Sequence, residues 1–173
     1  MITNQEALSE FDITATTLLQ TLSTFSSGQF NTIPFEGSWT AGQVGDHLLQ
    51  SAVGLPTLLQ DTTQETDRPI DAKAEIISTI FLDFTTKLKA PDFIIPSDGP
   101  HDKAALLQSL TTTLDTIKST VRSVDLAKTC TSFALPQIGE LTGLEWIHFV
   151  TCHIKRHTWQ LNNIYNIVAV TAS

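Results

Sequence analysis

Glu140-Leu-Thr142-Gly-Leu-Glu145-Trp-Ile-His148-Phe-Val-Thr-Cys152-His153-Ile-Lys-Arg156-His157-Thr-Trp-Gln160 is the stretch whose reading decides the fold. Thr142 followed three residues later by Glu145 is a capping box, in which each side chain bonds the other's backbone N–H, so a helix begins here. Taking about 100° per residue, Trp146, Phe149, Val150, His157, Gln160, Leu161 and Ile164 all fall within roughly 80° of His153. The run is therefore an amphipathic helix whose apolar stripe contains two histidines. His148 points away from that stripe and is expected to be solvated.

His153 and His157 stand about 40° apart around the helix and roughly 6 Å apart along it, so their rings can converge on one point. Convergent neutral imidazoles are how helical proteins offer a first-row metal two of its ligands. The spacing is also compatible with a pair of buried, hydrogen-bonded rings, or with a capping accident, because a buried ring has only to find a partner. Cys152 adjoins His153 but points about 100° from it, which suits packing rather than ligation. A metal site needs a third ligand from elsewhere in the chain.

The chain has 173 residues and 41% hydrophobic composition, which suits a single globular domain over residues 1–173 with a sizeable core. Its formal charge is −8, from 18 acidic and 10 basic residues. That balance argues against nucleic-acid binding, which needs a basic footprint, and against an anionic membrane surface. The start, Met-Ile-Thr-Asn-Gln-Glu, lacks the basic and apolar regions of a signal peptide, and no apolar run is long enough to span a bilayer. Two cysteines, Cys130 and Cys152, do not make a disulfide framework. A reduced, cytoplasmic setting is expected.

Helical periodicity recurs along the chain. Residues 4–27 carry Leu8, Phe11, Ala15, Leu18, Leu22 and Phe25, the seam of a bundle helix. Thr40 and Gln43 form a second capping box, so a helix starts near Ala41, bends or ends at Pro56, and can continue to Gln60. Residues 71–89 and 102–124 read as two further helices, and the His-bearing helix runs to about Val168 with a frayed tail. Residues 61–69, the proline-rich 91–100 and 125–139 read as connections. His101, at the start of the helix that follows the second of them, is expected to be exposed. No segment alternates with period two over a useful length, so no sheet is expected. The sum is an all-α antiparallel helix bundle.

His47 is the other histidine that periodicity buries. Val44, Ser51, Gly54 and Leu58 share its face, with Gln43 and Gln50 at the edges. Small and polar neighbours leave room for a ligand or a water, although the same residues also permit close helix packing. If this helix packs on the His153/His157 helix, three imidazoles meet. Three protein ligands with no fourth evident is the open, catalytic type of site. An all-nitrogen set suits zinc, nickel, copper or iron.

These residues carry a resemblance. Trp39-Thr-Ala-Gly-Gln43-Val-Gly-Asp-His47 looks like the W-x-x-x-E/Q-hydrophobic-x-x-H opening of the DinB-like (DinB/YfiT-type) superfamily. Leu141-Thr-x-x-Glu145-Trp146 followed by His153-x-x-Arg156-His157-x-x-Gln160 is similar to that family's C-terminal helix motif. The resemblance implies a four-helix bundle of up-down-down-up topology, with one additional helical segment here. It implies that His47, His153 and His157 hold a divalent metal, zinc or nickel first. It also implies a transferase or isomerase acting on a small-molecule substrate with a low-molecular-weight thiol, and a homodimer. Arg156 and Gln160 are the candidate catalytic residues: Arg156 at the edge of the site face, to pair with an anionic substrate or a surface carboxylate, and Gln160 one turn beyond His157. Two other functions fit the same residues. One is a metal-dependent hydrolase, for which no general base nearer than Asp46 is evident. The other is a non-catalytic stress-response or binding module with a structural or vestigial metal.

Overall fold

Among the described residues, seven α-helices and a small sheet follow one another in the order α1 (Asn4–Thr24), α2 (Ser27–Phe30), α3 (Ala41–Ala52), α4 (Leu55–Gln60), β1 (Thr63–Gln64), α5 (Ala74–Phe81), α6 (Lys103–Val121), β2 (Thr129–Leu135), β3 (Gly139–Thr142) and α7 (Gly143–Thr171), with a 3-10 turn at Asp92–Ile94 between α5 and α6. They are seen in a computed structural model that describes residues 2–171. Four long elements form the bundle. α7 packs on α1 and α3, and α6 packs on the same two from the other side. α1 and α3, consecutive long helices in the chain, thus occupy opposite corners. Phe11, Leu18 and Leu22 of α1, Leu110, Leu114 and Ile117 of α6, and Leu161 of α7 are at most 1% exposed and form the shared core. α5 lies outside, against α7.

The capping boxes fall where the sequence places them. Thr40 Oγ1 accepts from Gln43 N at 3.1 Å, and Gln43 Oε1 accepts from Thr40 N at 3.0 Å. Pro56 breaks the second helix as expected: α3 stops at Ala52, and α4 restarts with the proline in its first turn, where its missing N–H costs nothing. The 71–89 helix is shorter than its periodicity predicts. Only Ala74–Phe81 is helical, because Asp83 turns the chain, its carboxylate accepting from Thr85 N, Thr85 Oγ1 and Thr86 Oγ1. The end of the chain departs the other way: α7 continues to Thr171, while Ala172 and Ser173 of the expected frayed tail lie outside the described residues.

The expectation of an all-α protein is corrected by a three-stranded antiparallel sheet, β1-β2-β3, in a region read as loop. β2 and β3 form a hairpin. Pro136 and Gln137 turn it, Gln137 at φ 68 and Ile138 N bonding Leu135 O at 3.1 Å, and Gly139 follows at φ 87. A register shift between Cys130 and Leu135 breaks the alternation that would have signalled the strand.

The sheet matters because β3 runs straight into α7. Thr142 ends the strand and caps the helix, its Oγ1 accepting from Glu145 N at 3.1 Å. Glu145 is fully buried and accepts from Thr142 N at 3.0 Å, Lys73 N at 2.7 Å, and both Nη1 and Nη2 of Arg68 at 2.6 and 2.7 Å. The residue whose sequence role was a helix cap is therefore also half of a bidentate ion pair that ties the 68–73 segment to the start of α7.

Candidate metal centre

α3 and α7 bring three histidines together. His47 Nε2 lies 3.1 Å from His153 Nε2, and His157 Nε2 lies 3.0 Å from His153 Nε2. The three rings are 2%, 5% and 8% exposed for His47, His153 and His157, so their convergence is internal. Each other ring nitrogen has its own partner. His47 Nδ1 bonds Ile94 O at 2.7 Å, and His157 Nδ1 bonds Gln160 Oε1 at 2.8 Å. His153 Nδ1 lies 3.5 Å from Ser51 Oγ, whose own hydrogen is directed at the carbonyls of His47 and Leu48.

Those partners set the tautomers. A carbonyl oxygen only accepts, so Nδ1 carries the hydrogen in His47 and, against the Gln160 amide oxygen, in His157. Ser51, already donating, accepts from His153. The Nε2 atoms of His47 and His157 then each present a lone pair to that of His153 at hydrogen-bond distance, with no hydrogen to share. A proton could relieve this, but burial pushes all three histidines below their ordinary pKa. His47 is lowered chiefly by burial; His153 is held well below 6.5 by burial and the neighbouring His157, His47 and Arg156 charges; and His157 is lowered to about 3 by burial and then by His47. A divalent cation relieves it directly. Tetrahedral ligands at 2.0–2.1 Å stand about 3.3 Å apart, close to the spacing found. The donor set fits such an ion.

Aromatic rings brace the histidines. Trp39 lies over His47 and His157, with centroids 5.1 and 6.5 Å away. Phe149 stacks on His153 at 5.6 Å, and Phe81 meets its edge at 5.9 Å. The histidines open onto a cavity of about 1040 Å³ between α3, α5, α7, the hairpin and the connection 82–102.

Gln160 sits where the sequence suggests, one turn after His157 and bonded to its ring. Arg156 lines the cavity and turns to the backbone rather than to a surface carboxylate. Its guanidinium donates to the backbone carbonyls of Phe81, Asp83 and Thr86, the Asp83 bond being 2.7 Å, so it clips the 82–102 connection to α7. Asp46 faces away from the cavity, accepting from Ser97 N at 2.8 Å, Ser97 Oγ at 3.0 Å and Gln50 Nε2 at 2.9 Å. His101 is not exposed as expected: its side chain is 11% exposed, packed in that connection 3.1 Å from Ser97 Oγ and 3.4 Å from Asp46 Oδ2. His148 is half-buried against α5 rather than solvated, its Nε2 3.2 Å from Ala74 O and 2.8 Å from Ser78 Oγ. Both cysteines are buried and free, and burial pushes the Cys130 thiol up to about 11 and raises that of Cys152. Cys152 is packing, as its angle to His153 suggests.

Two site features escape sequence reading. The Ile94 carbonyl that orients His47 is a backbone group, which any residue at 94 would supply. Phe81 and Phe149 read only as apolar periodicity, though one face of that periodicity is the wall of the site.

Fold and site together define a helical bundle with an internal three-histidine cluster at the foot of an apolar cavity. The chain belongs to the DinB superfamily, whose sequence pattern matches residues 10–161. Among similar proteins, the uncharacterised YuaE of Bacillus subtilis (strain 168) is 24% identical over 139 residues, 80% of this chain and 85% of YuaE. The solved structure of YfiT from Bacillus subtilis, described as a probable metal-dependent hydrolase with an unusual four-helix bundle topology, superposes with a TM-score of 0.61. It does so at 17% identity, covering 96% of this chain and 89% of YfiT. No helix among the described residues is long and apolar enough to cross a membrane.

Proposed function

We propose that His47, His153 and His157 hold a divalent metal, zinc or nickel, and that the protein is a metal-dependent transferase or isomerase acting with a low-molecular-weight thiol. The observation that carries the metal is the set of three Nε2 lone pairs converging with every Nδ1 already committed. A bound ion would lower the pKa of a thiol or water beside it, supplying a nucleophile at neutral pH. The chain's own residues do the rest. Ile94 O, Gln160 and Ser51 fix the imidazoles, Trp39 and Phe149 hold their planes, and the apolar walls exclude water.

Support for a thiol over water comes from the cavity lining, which among the described residues includes no carboxylate to serve as general base. A second reading, metal-dependent hydrolysis, draws its support from the description of YfiT. Elemental analysis of untagged protein tests the metal: about one equivalent is expected in the wild type and little in His47→Ala. No metal in either after incubation with zinc or nickel would overturn the proposal. Turnover of an electrophile with added thiol, lost in His47→Ala, separates transfer from hydrolysis, which would proceed without thiol.

A further inference from the structure

The cavity's composition is unlike that of the chain. All three tryptophans and six of the nine phenylalanines line it. Three of the ten basic residues line it, Lys87, Lys89 and Arg156, but none of the 18 acidic ones, in a protein of formal charge −8. The aromatic wall does not stop at the interior. Phe35, Phe93 and Trp159 line the cavity yet remain 56%, 65% and 45% exposed, an apolar rim that water covers poorly. At about 1040 Å³ the space exceeds what a compact metabolite fills.

The cations divide into two kinds. Arg156 spends its donors on the carbonyls of residues 81–86. Lys87 and Lys89 are exposed at the mouth, and neither has an ion-pair partner among the described residues. They flank Leu88, whose side chain is 42% exposed at the same rim. Two free ammonium groups beside an aromatic trough form a recognition surface for a molecule with one charged end and one flat apolar end.

We infer that the cavity accepts an aryl anion, its fused or extended aromatic body in the trough and its negative group at the mouth beside Lys87 and Lys89. This names the substrate class of the proposed function and rests on that reading for the chemistry at the histidines, but not for binding. The anion lies at the rim, so its recognition does not depend on a metal at the foot of the cavity.

Three pyrene probes test it: 1-pyrenebutanoate, 1-pyrenebutanol and pyrenebutyl-trimethylammonium, titrated while tryptophan emission is read. Every tryptophan lines the cavity, so a pyrene bound there quenches all of them. The butanoate is expected to bind about tenfold more tightly than the alcohol, the scale of two exposed charge pairs, and the ammonium weakest. In Lys87→Gln/Lys89→Gln, whose exposed side chains leave the fold alone, the butanoate and alcohol should bind equally. Chelator-treated wild type should keep the tenfold preference. Equal binding of butanoate and alcohol by the wild type, a preference that survives in the double variant, or failure of all three probes to bind would each overturn the inference. So would a preference lost on chelation with both lysines intact, which would assign anion recognition to the metal and leave the proposed function standing. Conversely, protein that takes up no metal on incubation with zinc or nickel and still prefers the butanoate would uphold the inference while the metal proposal fell.

Discussion

Replacing Glu145 by alanine removes the acceptor for four donors at once. The side chain has no exposure, and its oxygens take hydrogen bonds from Thr142 N, Lys73 N and both Nη atoms of Arg68 at 2.6–3.0 Å. Two of the orphans are backbone N–H groups in buried or half-buried positions, each costing about 1–2 kcal/mol when unsatisfied. The third, the Arg68 guanidinium, is a quarter exposed and can turn to water, so its loss is held to about 1 kcal/mol. The expected destabilisation is therefore about 3–5 kcal/mol, in the range for breaking a buried ion pair. Urea unfolding of chelated protein, followed by circular dichroism, measures it free of any linkage to bound metal. Arg68→Ala and the double variant complete a cycle, in which a coupling energy of about 2 kcal/mol is expected. A loss below about 1 kcal/mol in Glu145→Ala, with coupling near zero, would refute the claim that this carboxylate anchors the head of α7.

Gln160→Leu leaves His157 Nδ1 without its acceptor and frees the ring to turn. Metal affinity is expected to fall about 10–100-fold in a competition titration with a chromophoric chelator, with the urea midpoint nearly unchanged. Acid should destabilise the metal-free protein. Buried His153 and His157 are held below 6.5, the latter to about 3, so between those values the unfolded chain binds protons that the folded one refuses. Stability then falls as pH drops below about 6.5, by up to about 1.4 kcal/mol per pH unit for each histidine, and is restored by raising the pH. Unfolding free energies that stay level from pH 7 to 4.5 would contradict the buried, neutral state of these rings.

Local signals made the bundle and the histidines legible. Capping boxes at Thr40 and Thr142 act within four residues, and the apolar stripe of α7 repeats over its whole length, so both survive in the sequence alone. The hairpin was hidden because its pairing is non-local and its register shift removes the alternation. Residues 129–135 show neither a clean polar face nor a clean apolar one. The early end of α5 was hidden for a different reason. Phe84 and Leu88 keep helical spacing, but they face the cavity from an irregular chain turned by Asp83. Arg156 shows the limit of motif reading. Its place beside the histidines was legible, yet the carbonyls it binds belong to a connection that sequence spacing cannot place.

The hydrogen bond from His47 to the Ile94 carbonyl has a consequence for how this protein can diversify. The 82–102 connection carries Phe84, Lys87, Leu88, Lys89 and Phe93 into the cavity wall, but it orients His47 through a peptide oxygen that every amino acid possesses. Those cavity-lining side chains can be exchanged one by one, widening, narrowing or recharging the cavity, while the tautomer of His47 stays as it is. The scaffold thus uncouples the side chains that line the cavity from the groups that orient the histidines. For design, that makes residues 84–93 the segment to randomise first when a new ligand is wanted.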